Sequence, residues 1–206
     1  MYRSLRPLLL ALACLTATII MATAPAAGAD TPLSALEVFR KLPATIFENT
    51  PEGLSEEEKL QLTEQGETTY WAIASDTPEE LLMVSLPHYD SRVHVRRFPG
   101  NGGNAMYAVG TANGSACAIE LWLLESGGRL VPAYAPEEPD VKEFFTKGHA
   151  MPAGMEASIM LCLDGDKLAA TPLFWTRTGL GNVTPDNHVH FMWNGTNFEK
   201  RTTPAR

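Results

Sequence analysis

Cysteine is scarce in this chain, with three residues in 206, at positions 14, 117 and 162. Positive charge is scarce as well: 16 Lys and Arg stand against 24 Asp and Glu, for a net charge of −8. An acidic surface repels phosphate backbones and anionic headgroups, so nucleic acid and peripheral membrane binding are disfavoured. The familiar catalytic signatures are missing too. There is no G-x-S-x-G elbow, no H-E-x-x-H and no S-x-x-K, which leaves nucleophilic catalysis with little support. The run Gly100-Asn101-Gly102-Gly103-Asn104 has no lysine and no helix after it, so it is not a phosphate cradle.

What is present begins with a leader. Arg3 and Arg6 precede the uncharged apolar run Leu8 to Ala22, and Ala27-Gly28-Ala29 before Asp30 is an A-x-A cleavage pattern. The run is short for a membrane span, which takes about 20 apolar residues. Residues 1–29 therefore read as a signal peptide, and 30–206 as one exported β-rich domain with no integral span after cleavage. Both leader arginines leave with it, so the remainder sets 14 basic against 24 acidic residues, a net charge of −10. Solubility explains that charge most simply, although it also suits a cationic partner.

With Cys14 in the leader, Cys117 and Cys162 remain, in a compartment that permits disulfides. Both sit in apolar, strand-like runs, SACAIELWLLE and ASIMLCLDGDKL, without a basic neighbour to lower a thiol pKa. A disulfide between neighbouring strands of one sheet is expected, with a pair of buried free thiols as the competing reading. The closed loop spans 45 residues, worth about 4 kcal/mol in the loop-entropy model.

The rest of the pattern predicts an α+β fold: short N-terminal helices, then a large, mostly antiparallel meandering sheet of about seven to ten strands. Leu33, Leu36, Phe39 and Leu42 recur at helical spacing before Pro43. Ser55-Glu56-Glu57-Glu58 is a capping box, and Gly66 ends that second helix. From Thr68 the period falls to two: TYWAIAS, LLMVSL, RVHVRRF, AMYAVGTA, ACAIELWLL and RLVPAY are short and apolar, with turn residues between them. In RVHVRRF, Val93 and Val95 share one face while Arg92, His94 and Arg96 share the other, a wet one. Asp164-Gly165 and Asn194-Gly195 read as two-residue type I′ hairpin turns, and a brief helix is expected at 140–148.

Candidate functional residues are few. Asp186, His188 and His190 alternate along a strand and so leave one face. An H-x-H pair can hold zinc with a third ligand, which would suit a periplasmic metal-dependent hydrolase. The polar face of an edge strand is the preferred explanation of the same residues, and no cofactor is then implied. Glu120 interrupts an apolar run beside Trp122. It is either a pocket carboxylate near Arg96 or Arg97, or a side chain on the solvated face of the sheet, the second being preferred. Tyr89, Trp175 and Trp193 are candidate binding aromatics, because Trp and Tyr dominate hot spots, although strand cores also take them.

Two resemblances can be drawn from these motifs. VFRKLPATIF, followed by a cysteine-bearing antiparallel sheet, resembles the layout of exported bacterial domains of unknown function. Ser126-Gly127-Gly128-Arg129 with Thr146-Lys147-Gly148 is similar to the SG-x-[KR]-Y and T-K-G elements of C-type lysozyme inhibitors, with Leu130 in the place of the tyrosine. That second likeness implies Ser126 and Lys147 as residues reaching into a lysozyme cleft. The leading expectation is an exported, non-catalytic domain that binds a protein or a cell-envelope component.

Overall fold

The computed structural model describes residues 32–48, 50, 52–101, 104–125 and 127–205. The expected leader and Ser126 lie outside the described residues. Helix α1 (Ala35–Lys41) and helix α2 (Glu56–Gln65) each open on a complete capping box, Ser34 with Glu37 and Ser55 with Glu58. Each serine hydroxyl takes an orphan amide of the first turn while the glutamate returns to the cap amide. Gly66 closes α2 at φ 81°, where a side chain would be strained. Lys59 ties the two helices together. It is almost fully buried, its ammonium donates to the Leu42 carbonyl at the end of α1, and it pairs with Glu56 at 2.9 Å. Its charge also sits 5.7 Å from the centre of the Phe39 ring.

Among the described residues eleven strands follow: β1 (Trp71–Asp76), β2 (Glu80–Ser85), β3 (Ser91–Pro99), β4 (Ala105–Asn113), β5 (Ala116–Leu124), β6 (Leu130–Ala133), β7 (Glu156–Asp164), β8 (Lys167–Thr176), β9 (Gly179–Leu180), β10 (Asn187–Trp193) and β11 (Phe198–Pro204). They form two antiparallel sheets where a single one was expected. The first runs β1 to β6 in chain order, and the second has the order β11-β10-β8-β7 with β9 on β8.

The first sheet carries apolar residues on both faces, and each set packs under a separate layer. Leu81, Val95 and Val109 pair across β2, β3 and β4, and with Trp71 and Tyr107 they are buried beside Phe39 and Phe47 of the helical segment. The opposite face offers Phe98, Ala108 and Leu121, buried with Leu163, Leu168, Val189 and Phe191 of the second sheet. The two sheets approach most closely at Gly110. A Cβ built there would lie 2.8 Å from the Cβ of Leu163, so only glycine admits β7 at that distance.

Cys117 and Cys162 form a disulfide, with Cα atoms 5.6 Å apart. It joins β5 of the first sheet to β7 of the second, not neighbouring strands of one sheet. Residues 134–155, which carry the Pro-rich stretch and a 3₁₀ turn (Val141–Phe144), bring the chain from β6 over to the second layer. Among the described residues no helix is long and apolar enough to cross a membrane.

The hairpin turns also differ from expectation. Asp164 pairs with Lys167, so the loop is Gly165-Asp166, with positive φ at the glycine alone. That is the type II′ pattern. Asn194 opens a four-residue loop, its side-chain oxygen accepting the amides of Thr196 and Asn197.

Candidate functional site

The turn between β2 and β3, residues 86–90, holds Tyr89 out to solvent at 88 % exposure. Its backbone is nevertheless firmly braced. The Ser85 hydroxyl is completely buried; it accepts the His88 amide at 3.0 Å and donates to Glu52 at 2.9 Å. On the other side the Ser91 amide donates to the His88 carbonyl at 2.8 Å, and the Ser91 hydroxyl donates to the Asn113 side chain at 3.2 Å. The Gly114 amide donates to the Asp90 carbonyl, and the Glu52 carboxylate stands 3.4 Å from the His88 ring. Buried hydroxyls must find partners or lose their hydration uncompensated, and here each partner fixes the turn. Tyr70 and Leu86, 46 % and 38 % exposed, meet beside it through a 2.7 Å hydrogen bond from the Leu86 amide to the Tyr70 carbonyl.

The other aromatics are differently placed. Trp193 is half-buried, donates to the Pro99 carbonyl at 2.7 Å and packs 5.0 Å from the Phe198 ring. It ties the second sheet to the end of β3. Trp175 is 41 % exposed and donates to Ser158.

Glu120 is exposed and pairs across the ladder with Val109. It therefore lies on the helix-facing side of the first sheet, at one end of a row that runs through Val109, Val95 and Leu81 to Asp76. The helices pack over β1, β2 and β3 and leave that end open. Arg96 and Arg97, the cations expected near it, pair instead with Glu80 at 3.6 Å and Glu79 at 3.2 Å.

On the opposite face, Glu80 also sits 2.7 Å from the ring nitrogen Nε2 of His94. Burial pushes the His94 imidazole below its ordinary value, Glu80 pulls it up, and Arg96 and Arg92 push it down further.

The structure does not bring Asp186, His188 and His190 together. Asp186 precedes β10, and its carboxylate takes the Thr146 amide at 2.9 Å, the Thr146 hydroxyl at 3.1 Å and His149 Nδ1 at 2.9 Å. The Thr146 amide foremost, then the Thr146 hydroxyl and His149, hold Asp186 below the usual carboxylate range against a smaller opposing effect of burial. Burial lowers His190, helped by the charges of Lys167 and Arg201 and by His188. A cation arriving there would meet those two basic residues. Among the described residues no group of three or more His, Cys, Asp or Glu is arranged to hold a metal ion.

His149 and Thr146 were not legible as partners of Asp186, since 37 and 40 positions separate them from it and no spacing rule links such distant residues. The His149–Asp186 pair has the form of an oriented base. Among the described residues no hydroxyl or thiol is hydrogen-bonded to the second ring nitrogen. Lys147 is exposed in the same loop. Compared with known proteins, the chain matches no family model, no curated protein and no solved structure.

Proposed function

We propose that this chain is an exported, non-catalytic binding domain of the cell envelope whose working surface is the aromatic turn at Tyr89. One observation supports this above the others: a tyrosine 88 % exposed on a turn whose backbone is pinned from both sides by buried serines. Leaving a large apolar side chain in water forgoes roughly 1.5–3 kcal/mol of burial. A fold that also fixes the turn beforehand lowers the entropy cost of binding there. Tyrosine is enriched at interface hot spots for its rigid amphipathic area, and Tyr70 with Leu86 widens the patch. The leader pattern and the disulfide support export, where oxidised cysteines persist. The partner is a protein or an envelope component with an apolar, hydrogen-bonding surface.

Site-specific photo-cross-linking in the native host tests this reading. A photoreactive phenylalanine at position 89 should give one dominant adduct, competed away by unlabelled protein. The same probe at Gln61, exposed on α2, should give none. Identical adduct patterns at both positions, or none at 89, would reject the turn as a binding surface.

A further inference from the structure

A second surface lies on the far side of the chain's crossover between sheets. The 3₁₀ turn and the loop after it enclose an open cavity of about 370 Å³, at the small end of the range for ligand pockets. Val141, Phe145, Ala150 and Met151 supply its apolar lining, and every ionisable side chain lining it is basic: Lys142, Lys147 and His149. In a chain of net charge −8, a lining whose free cations are Lys142 and Lys147, over an apolar floor, is a local reversal of the overall field, with the Asp186 carboxylate engaged by Thr146 and His149 at its edge.

The groove is also held in shape. The Phe145 ring packs 5.8 Å from the Phe174 ring of β8. The Asp186 amide donates to the Phe144 carbonyl at 2.9 Å, and the Asn187 side chain donates to the Glu143 carbonyl at 3.0 Å. Asp186 engages His149 through Nδ1 at 2.9 Å, which fixes that ring at the edge of the groove. Lys142 has only a loose contact with Asp140, 3.9 Å away.

We propose that this groove binds a free amphipathic carboxylate, its hydrocarbon tail on Phe145 and Met151 and its head on Lys142 and Lys147. The apolar floor accounts for the tail, with the Met151 thioether adapting to its shape. The basic rim accounts for the charge of the head. This site is separate from the Tyr89 turn and stands or falls independently of it.

Titration of the purified protein with decanoate, followed by two-dimensional amide NMR, tests the proposal. Saturable shifts confined to residues 141–151 are expected, with half-saturation at or below about 1 mM. Decanol, which lacks the charge, and acetate, which lacks the tail, should each bind at least about tenfold more weakly. Lys147→Glu should weaken decanoate by a similar factor while leaving the β3 and β4 resonances in place, which shows the variant is folded. The proposal is overturned if decanoate fails to saturate by about 1 mM, or if decanol binds as well as decanoate. It is equally overturned if folded Lys147→Glu binds normally, or if the protein sediments with phosphatidylglycerol vesicles while ignoring free decanoate.

Discussion

Gly110→Ala adds a single methyl group at the point where the two sheets touch. Its Cβ would sit 2.8 Å from the Cβ of Leu163, a separation that real Cβ atoms do not adopt. The obstacle is one backbone-fixed atom against another, so no change of rotamer relieves it. Forcing an extra carbon into a close-packed contact costs about 1–3 kcal/mol. Against this, alanine in a strand interior is preferred over glycine by about 0.5–1 kcal/mol. At the middle of each range the clash dominates, leaving a net loss of about 1 kcal/mol. For a domain of this size, that lowers the melting temperature by about 2–4 °C.

Two controls isolate the cause. At Gly181 a new Cβ would meet the flexible end of Met155 at 3.1 Å and the Thr176 methyl at 3.2 Å, both milder than the contact at Gly110, so Gly181→Ala should cost less than Gly110→Ala. The disulfide also holds β7 against the first sheet. In a Cys117→Ser, Cys162→Ser background β7 can move away, and the Gly110→Ala penalty should shrink, a coupling that a double-mutant cycle measures. Thermal unfolding by circular dichroism reads all of these. If oxidised Gly110→Ala melts at or above the parent temperature, the close approach of the sheets at Gly110 is wrong.

Three further outcomes are expected. Cys117→Ser alone should cost about 4 kcal/mol in chemical denaturation, from the 45-residue loop it releases. Lys59→Met keeps the buried stem and removes the donor to the Leu42 carbonyl, and should cost about 1–3 kcal/mol for the acceptor left unpaired. His94 has a folded pKa below its unfolded value, so the unfolded chain binds more protons once the pH falls below about 6.5. Its contribution to stability is then present above that pH and lost as the pH falls through it. A stability–pH profile of His94→Gln should therefore be flatter than the parent's between about pH 7 and pH 5.

The local features were legible because their causes are local. The Ser55–Glu58 capping box, the αL glycine at position 66 and the period-2 alternation of Arg92, His94 and Arg96 each depend on residues within a few positions, and the structure contains all three. The division into two sheets was not legible. Alternation reports that β5 and β7 are strands, but not that Cys162 approaches Cys117 from another layer. The bare surface of Gly110 and the shape of Leu163 decide that, and 53 positions separate them in the chain. The hairpin at 164–167 missed by one residue because Asp-Gly fits two registers. Core burial of Leu163 and Leu168, with the Asp164–Lys167 ion pair at 3.4 Å, selects the one with Gly165 first in the loop. The candidate site was half legible. Tyr89 stood out as an aromatic in a turn, while the buried serines that brace it, and the pairing of Asp186 with His149, depend on contacts that no spacing rule encodes.

Hydrogen exchange at single-amide resolution tests most directly whether the Tyr89 turn is fixed in advance of binding. The amides of His88, Ser91 and Gly114 are the donors that hold it. They should exchange as slowly as those of the neighbouring strands β2 and β3, with Tyr89 itself exposed between them. Exchange at the rate of an unstructured loop would mean the turn is not held, and the aromatic surface proposed for binding would lose its physical basis.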